Sequence, residues 1–305
     1  MEENDRLIKG RLLCAAAAER NPYVIIDAGA RGNLPEPWSL MAPDNVRVHG
    51  FEPDPEAYKE LEKLHTLNRL YHPFALWNKQ GAIQLHLNMS RATSSVYPPN
   101  PEVLSLFPEK NTATRATEKI IEVPANSLDE MIEERWIDHL KIDVHSAEME
   151  VLEGATKLLS SVFSVLVEAW CLEVHKGQRL LGDILVYMDQ KGFEPYAFDN
   201  QYMAWGEAKP LGLKTSGRKR QVASVVLFIR KDFNRIPDNQ KFKAAAILDV
   251  YGYPEAAHRM LKLAKADSEM LEKHLSTWNN RPKLRGPILR RILGQKEDLY
   301  IAPLT

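Results

Sequence analysis

The chain has 305 residues, a formal net charge of -1, 44% hydrophobic residues and two cysteines, Cys14 and Cys171. The near-neutral charge argues against a protein organised around nucleic-acid phosphates, so we expect no nucleic-acid partner. Two cysteines are too few for a disulfide framework or a cysteine-based zinc site, which favours a reducing cytoplasm. No apolar run approaches the roughly 20 residues of a membrane-spanning helix, and the acidic N-terminus does not match a signal peptide.

Short β-branched runs alternate with amphipathic segments along most of the chain, which predicts an α/β protein. The predicted strands cover 23–27, 46–52, 70–76, 83–88, 120–123, 140–144, 162–169, 193–198 and 222–229. The predicted helices cover 5–19, 56–67, 128–135, 147–159 and 179–190, and 89–118 is predicted to be a long loop. Strands separated by helices indicate right-handed crossovers and a doubly wound, mainly parallel sheet.

The ends of the chain differ from its middle. We expect an N-terminal helix within 1–21, a core domain over 22–232 and a helical C-terminal appendage over 233–305, where no strand pattern occurs. The tail carries basic residues between apolar ones, which allows a weak contact with a membrane surface, although a helical cap or a homodimer contact is the more ordinary expectation. These basic residues are Arg281, Lys283, Arg285, Arg290, Arg291 and Lys296.

The first motif is the loop at 27–33, which follows the apolar run beginning at Tyr23. Glycines at the end of a parallel strand allow a cofactor to approach the backbone closely. The spacing Asp-x-Gly-x-x-Gly differs from the dinucleotide fingerprint Gly-x-Gly-x-x-Gly. By itself it would also suit a plain strand-to-helix turn.

Two further motifs lie at the ends of later strands. Glu52 ends the second predicted strand, where nucleotide-binding folds place an acid that accepts both ribose hydroxyls, although an ordinary strand-end acid would look the same. The segment 140–148 carries Lys141, Asp143, His145 and Glu148 at the edge where open α/β sheets bind ligands. Lys141 and Asp143 share one face of the predicted strand, so an ion pair beside a core strand is the alternative interpretation.

Five motifs in a fixed order carry a family resemblance. They are Val-Ile-Ile-Asp-Ala-Gly-Ala-Arg-Gly-Asn, Phe-Glu-Pro-Asp-Pro, Ser-Leu-Asp at 127–129, Leu-Lys-Ile-Asp-Val followed by Ala-Glu, and Val-Leu-Glu-Gly-Ala. Over about 22–230 the chain resembles the FkbM family of methyltransferases that use S-adenosylmethionine (SAM). The resemblance implies a class I Rossmann-like methyltransferase that methylates a hydroxyl oxygen of a sugar, glycan or polyketide-type metabolite.

The resemblance also implies which residues hold the cofactor. Asp27 and Gly29 would border the methionine moiety of SAM, and Glu52 would hold the ribose. Ala75 and Leu76 would lie near the adenine. The remaining residues of the predicted cofactor site are Arg31, Asn33 and Asp143, and Asp143 would lie beside the sulfonium.

The predicted catalytic residues are Lys141, Asp143, His145 and Glu148. On the acceptor side, Ser94 and Ser95 resemble the serine pair that the family has near its active-site mouth. Trp170 follows a predicted strand directly and could wall an acceptor pocket, although packing in the core would explain it equally well.

His145-Ser146 departs from the family pattern, which commonly has an acidic residue or Gln followed by Gly at this point. A histidine with an ordinary pKa near 6.5 could take the proton of an acceptor hydroxyl, or it could only change the shape of the pocket. Asp143, His145 and Glu148 could in principle bind a divalent ion, but we expect no metal site.

Two other functions fit the same sheet. A nicotinamide-dependent oxidoreductase would use the same ribose acid, but Arg31 stands where its fingerprint would need another glycine. A non-catalytic binding module with a methyltransferase fold is the other alternative, which the presence of Asp27, Glu52 and Asp143 disfavours.

Overall fold

The computed structural model describes residues 21–32, 34–203 and 219–279. The predicted leading helix over 5–19, Asn33 and the basic tail therefore lie outside the described residues.

The centre of the molecule is a seven-stranded sheet with the strand order β3-β2-β1-β7-β8-β10-β9. Its strands are β1 (Tyr23–Ala28), β2 (Val46–Phe51), β3 (Arg69–His72), β7 (Ile137–Ile142), β8 (Val162–Trp170), β9 (Phe193–Met203) and β10 (Arg220–Arg230). The first five strands of this order pair in parallel, whereas β10 runs antiparallel to both β8 and β9. The mainly parallel, doubly wound sheet that the sequence predicted is confirmed.

A second sheet of three strands, in the order β4-β6-β5, was not predicted. It contains β4 (Ala75–Leu76), β5 (Gly81–Asn88) and β6 (Thr117–Asn126). The strand predicted over 70–76 is wrong as one element, because its first part joins the main sheet as β3 and its last two residues pair with β6. Pro73 lies between these parts and has no N–H to donate to a ladder, which explains the interruption.

The helices lie between the strands in chain order and after the last one. They are α1 (Pro55–Glu62), α2 (Pro101–Leu104), α3 (Glu109–Thr114), α4 (Leu128–Met131), α5 (Glu148–Glu153), α6 (Leu181–Gln190), α7 (Lys241–Val250), α8 (Pro254–Leu263) and α9 (Ser268–Asn279). The α1 helix begins after Asp54, whose side chain accepts a hydrogen bond from the Glu56 amide.

Several predicted boundaries are wrong. The helix over 56–67 ends at Glu62, and the chain turns back so that the Tyr71 amide donates to Nε2 of His65. The helix over 128–135 is a single turn, and the predicted loop over 89–118 contains α2 and α3. The helix over 147–159 ends before Gly154, where a Cβ would lie 2.1 Å from the carbonyl oxygen of Trp77.

Each face of the main sheet packs against helices. One apolar core joins strand residues such as Tyr23 and Val225 to Ile247 of α7 and Met260 of α8. The opposite core contains Ile26 and Ile142 together with residues of α5 and α6. The described C-terminal helices thus share a core with the sheet, and the predicted domain boundary after residue 232 stays a prediction. Within the described ranges, no helix has both the length and the apolar character needed to cross a membrane.

Candidate active site

Three parallel strands bring the predicted cofactor residues together. The register pairs Asp27 of β1 with Lys141 of β7 on one side and with Gly50 of β2 on the other. The carboxyl ends of β1, β2 and β7 therefore lie side by side, which is where open α/β sheets bind ligands. Asp143 comes directly after β7, which ends at Ile142. The prediction that Asp143 lies inside a strand over 140–144 is therefore wrong, because the strand begins and ends earlier.

Lys141 is the central cation of this edge. Its Nζ donates to Oδ1 of Asp27 at 2.8 Å and to the carbonyl oxygen of Gly29 at 3.1 Å, and lies 3.9 Å from Oδ2 of Asp143. Burial alone would lower the pKa of Lys141, but the two carboxylates raise it above its ordinary value, so the ammonium keeps its charge. Burial raises the pKa of Asp27, and Lys141 acts against that change.

Gly29 fits the loop because two chain segments meet at this position. Its φ is +80°, and a Cβ would lie only 1.9 Å from the carbonyl oxygen of Asp143. The amides of Gly29 and Ala30 both donate to the carbonyl oxygen of Phe51, which ties the loop to the end of β2. The glycine is thus required by contact between the loops after β1 and β7.

Glu52 is held at the end of β2 by its neighbours. One carboxylate oxygen accepts a hydrogen bond from the Asp54 amide at 2.9 Å, and the other lies 3.8 Å from Nε of Arg31. Arg31 also donates to the Asp54 carboxylate. Burial raises the pKa of Glu52, while the Arg31 guanidinium opposes this rise. The residue is 5% exposed. It is therefore a buried, oriented acceptor beside the glycine loop.

The loop after β7 has an unusual backbone. His145 has a φ of 53° and Ser146 a φ of 92°, and a non-glycine residue at the second value is strained. The structure thus keeps a glycine-type conformation at the position where the sequence lacks the expected glycine. Two hydrogen bonds offset the strain, since Oγ of Ser146 lies 2.6 Å from Nδ1 of His175 and 3.2 Å from Oε1 of Gln178.

The Glu148 carboxylate stabilises the backbone of this loop. Its carboxylate accepts hydrogen bonds from the Ser146 amide at 3.1 and 3.0 Å and from the Val144 amide at 3.2 Å. Burial, and next the charge of Glu168, raise its pKa well above the ordinary value. Glu148 is predicted to be catalytic, but its contacts are those of a residue that shapes the loop.

The predicted serine pair does lie beside the same loop. Oγ of Ser95 donates to the carbonyl oxygen of His145 at 2.5 Å. Oγ of Ser94 accepts a hydrogen bond from the Asn88 amide at 3.1 Å. Ser95 therefore contacts the His145 loop directly, whereas Ser94 faces β5.

Glu168 of β8 is a site residue that the sequence analysis missed. Its Oε2 lies 3.8 Å from Nδ1 of His145, and its Oε1 accepts a hydrogen bond from Gln201 at 2.9 Å. The ligand-type atoms of Asp143, His145 and Glu168 all lie within 4.8 Å of one another, so this trio, and not one with Glu148, could hold a metal ion. An acid inside the apolar run Val-Glu-Ala was the available signal.

His145 is the titratable group at the centre of this cluster. Burial lowers its pKa, Asp143 opposes the change, and the cations Arg115, Lys141 and Arg31 add to the lowering. The imidazole is therefore neutral at pH 7 and can accept a proton.

The sequence matches the model of the FkbM methyltransferase domain over residues 40–195, just over half of the chain. The chain belongs to the FkbM methyltransferase family. No curated protein gives a significant sequence match.

Similar solved structures include other methyltransferases. One is a methyltransferase FkbM from Methylobacillus flagellatus (12% identity, TM-score 0.37), matched over 67% of this chain and 43% of that chain. This protein thus spans less than half of that relative. Another is magnesium protoporphyrin IX methyltransferase from Synechocystis with bound SAM (12% identity, TM-score 0.32), matched over 74% of this chain and 79% of that chain. A third is 1,6-didemethyltoxoflavin-N1-methyltransferase from Burkholderia thailandensis with bound S-adenosylhomocysteine (13% identity, TM-score 0.35), matched over 76% of this chain and 83% of that chain.

The remaining predicted site residues have the following positions. Ala75 and Leu76 form β4, and Leu76 packs in the same core as Phe51, the residue before Glu52. Trp170 is 1% exposed and packs against Leu104, so it does not present an open wall. Its ring centroid nevertheless lies 6.4 Å from that of the His145 ring.

Proposed function

We propose that this FkbM-family chain is a SAM-dependent O-methyltransferase that acts on a hydroxyl group of a sugar, a glycan or a glycosylated or polyketide-type metabolite. The observation that carries the proposal is the position of three acids at three adjacent strand ends: Asp27 and Asp143 flank Lys141, and Glu52 follows the neighbouring strand β2. Three carboxylates and one neutral imidazole suit a cationic, hydroxyl-bearing cofactor and an acceptor that loses a proton.

The residues of the site fit SAM. Oδ1 of Asp143 is buried and has no hydrogen-bond partner among the described residues. An unpartnered carboxylate oxygen of this kind suits contact with a cationic ligand. Glu52 offers carboxylate oxygens to a vicinal diol, and Asp27 is oriented by Lys141. These three residues, with Gly29 and Arg31, would hold the cofactor, which supplies a methyl group on a good leaving group when it is bound.

His145 would act on the acceptor. Because its Nδ1 faces Glu168 at 3.8 Å, we assign the acceptance of the hydroxyl proton to Nε2. The Glu168 carboxylate would stabilise the imidazolium that results. Ser95 holds the backbone of His145, which restricts where the ring can point. Positioning and proton removal are the main requirements of methylation at oxygen.

The oxidoreductase and binding-module alternatives are less well supported than a methyltransferase. A nicotinamide-dependent oxidoreductase conflicts with membership of a methyltransferase family, and Arg31 is engaged with Glu52 and Asp54 at the position where a fingerprint glycine would stand. The presence of Asp27, Glu52 and Asp143 at the strand ends argues against a non-catalytic binding module. The expected cytoplasmic location and homodimer stay predictions.

The proposal is tested by acceptor capture. The purified chain is incubated with methyl-labelled SAM and fractionated glycans and small metabolites of its host, and the labelled product is identified by mass spectrometry and NMR. We expect the label on an oxygen that was a free hydroxyl, and less labelled product with the Glu52→Gln variant at a SAM concentration below saturation. A label on nitrogen or carbon would contradict methylation at oxygen, and no labelled product from any fraction would contradict the activity.

A further inference from the structure

Arg115 is a buried cation that the proposed mechanism does not use. It follows α3 directly, is 3% exposed, and its guanidinium carbon lies 5.8 Å from the centroid of the Trp170 ring. The same ring borders His145, whose centroid is 6.4 Å away. After burial, the charge of Arg115 lowers the pKa of both His145 and His175, which puts the guanidinium in the electrostatic field of the candidate site.

Among the described residues, the guanidinium has no counter-ion within ion-pair distance, and Glu168 acts on it only from farther away. Within the part of the chain that the structure describes, the guanidinium forms no ion pair and no hydrogen bond, and its Nε is buried without a partner. Other buried cations are satisfied: Lys141 and Lys243 donate to buried aspartates, and Arg230 donates to two backbone carbonyls. A buried charge left uncompensated costs several kcal/mol by order of magnitude, so this exception needs an explanation.

Glu168 does not supply the missing partner. Its charge acts against the lowering of the Arg115 pKa by burial, yet the two side chains do not reach ion-pair distance. One of its oxygens accepts a hydrogen bond from Gln201, and the other lies on the His145 side at 3.8 Å from Nδ1. Glu168 is thus directed toward other groups.

The charge of the region indicates what kind of anion fits. The pKa of His175 is lowered to about 3 and that of His145 is also lowered, so both rings are neutral at pH 7. Lys141 is engaged by Asp27. Arg115 therefore offers one uncompensated positive charge in a planar fork, which matches a single carboxylate, whereas a phosphate dianion would bring excess negative charge toward Glu168.

We propose that Arg115 binds a carboxylate of the acceptor, so that the substrates are hydroxyl-bearing acids of the uronic-acid class. This inference rests on the proposed O-methylation of a sugar hydroxyl. The guanidinium and His145 border the same Trp170 ring, so the acceptor carboxylate would be fixed at Arg115 while a hydroxyl of the same sugar faces the imidazole.

The test is a binding measurement that does not need turnover. The chain is first saturated with S-adenosylhomocysteine and then titrated calorimetrically with glucuronate, glucuronate methyl ester and glucose 6-phosphate. We expect glucuronate to bind at least about tenfold more tightly than its neutral methyl ester, since a charge-assisted bidentate pair is lost in the ester. Glucose 6-phosphate should bind more weakly than glucuronate.

The variants assign the preference to one residue. Arg115→Gln should reduce the ratio between acid and ester below about twofold, and Arg115→Lys, which keeps the charge but not the fork, should leave an intermediate ratio. Arg91→Gln is the matched control, because Arg91 is a partly exposed guanidinium already paired with Glu118, and should leave the ratio unchanged.

Several results would overturn the inference. They are equal affinity for acid and ester, binding of neither, tighter binding of the phosphate, or a ratio that survives both Arg115 substitutions. Failure of the first step, saturation with S-adenosylhomocysteine, would instead refute the proposed methyltransferase activity. The two failures are therefore distinguishable.

Discussion

Nζ of Lys141 and Oδ1 of Asp27 lie 2.8 Å apart across two adjacent parallel strands, and both side chains are buried. The pair orients the acid at the end of β1, and Lys141 opposes the rise in the pKa of Asp27 that burial causes. In the Lys141→Met variant, Asp27 would be left buried without its partner, at a cost of roughly 3–5 kcal/mol in unfolding free energy. We expect SAM affinity, measured by calorimetry, to fall at least about tenfold in the folded fraction.

Lys243→Met is the matched control for this prediction. Lys243 forms the same kind of buried pair with Asp138, at 2.7 Å, where α7 packs on the sheet. The variant should lose similar stability in denaturant titrations but keep wild-type SAM affinity when folded. Equal loss of SAM affinity in both variants would mean that the effect of Lys141 is one of general stability.

Glu52→Gln tests the predicted ribose contact. The substitution keeps the size of the side chain but removes one acceptor charge, so the bond to a vicinal diol is weakened. We expect a loss of SAM affinity of about 1.5–3 kcal/mol, the range for hydrogen bonds to charged groups. Glu60→Gln makes the same change in charge on the exposed face of α1, where Glu60 pairs with Lys63, and should bind SAM like the wild type. Unchanged affinity in Glu52→Gln would remove Glu52 from the cofactor site.

His145→Ala should separate catalysis from cofactor binding. If the imidazole accepts the hydroxyl proton, turnover falls about 10²- to 10⁴-fold while the Kd for SAM changes little. Because burial lowers the pKa of His145, turnover of the wild type should stay constant from pH 8 to about 6.5, the ordinary histidine pKa. It should fall only at lower pH, where the imidazole becomes protonated and can no longer accept a proton. Unaltered turnover in the variant would exclude His145 as the base, whatever the pH profile.

Ser146 combines a strained backbone with useful hydrogen bonds. Ser146→Ala keeps the φ of 92° and loses the bonds to His175 and Gln178, so it should lower the unfolding free energy by about 1–3 kcal/mol. Ser146→Gly loses the same bonds but relieves the strain, and should be the more stable of the two by about 1 kcal/mol. Urea titration of both variants measures the difference. An alanine variant more stable than the glycine variant would show that the positive φ carries no strain.

His139 predicts how stability changes with pH. It is 1% exposed and contacts Ser164 and Tyr251, and burial, followed by the charge of Lys141, lowers its pKa to about 3. At pH 8 His139 is unprotonated in both the folded and the unfolded chain. Below about pH 6.5 it binds a proton in the unfolded chain but not in the folded chain, so the unfolding free energy decreases as the pH is lowered. We expect the wild type to lose about 2 kcal/mol through His139 between pH 8 and 5. His139→Gln should reduce this loss, and an unchanged slope would contradict the assignment.

The parallel core of the fold was predictable because its strands are continuous apolar runs. The strands β1, β2 and β8 are buried on nearly every residue, and such runs bounded by turn residues are recognisable without structural information. The three-stranded sheet was not predictable in this way. Its β4 has only two residues, too few for any pattern, and β6 has exposed residues at half of its positions.

The candidate site was predictable where function is tied to strand ends. Asp27, Glu52 and Asp143 lie together because parallel strands end at one edge, and their spacing in the sequence is enough to infer this. Glu168 and Arg115 were missed for physical reasons. Glu168 is one acid within an apolar strand, and Arg115 follows a short helix in a segment predicted to be loop, so only tertiary packing brings them to His145.

Calorimetric titration of the wild-type chain with SAM and, separately, with NAD tests the central claim most directly. We predict binding of one SAM per chain, with an affinity that falls in the Glu52→Gln and Lys141→Met variants, and no binding of NAD. Binding of NAD without SAM, or no SAM binding at millimolar concentration, would contradict the account.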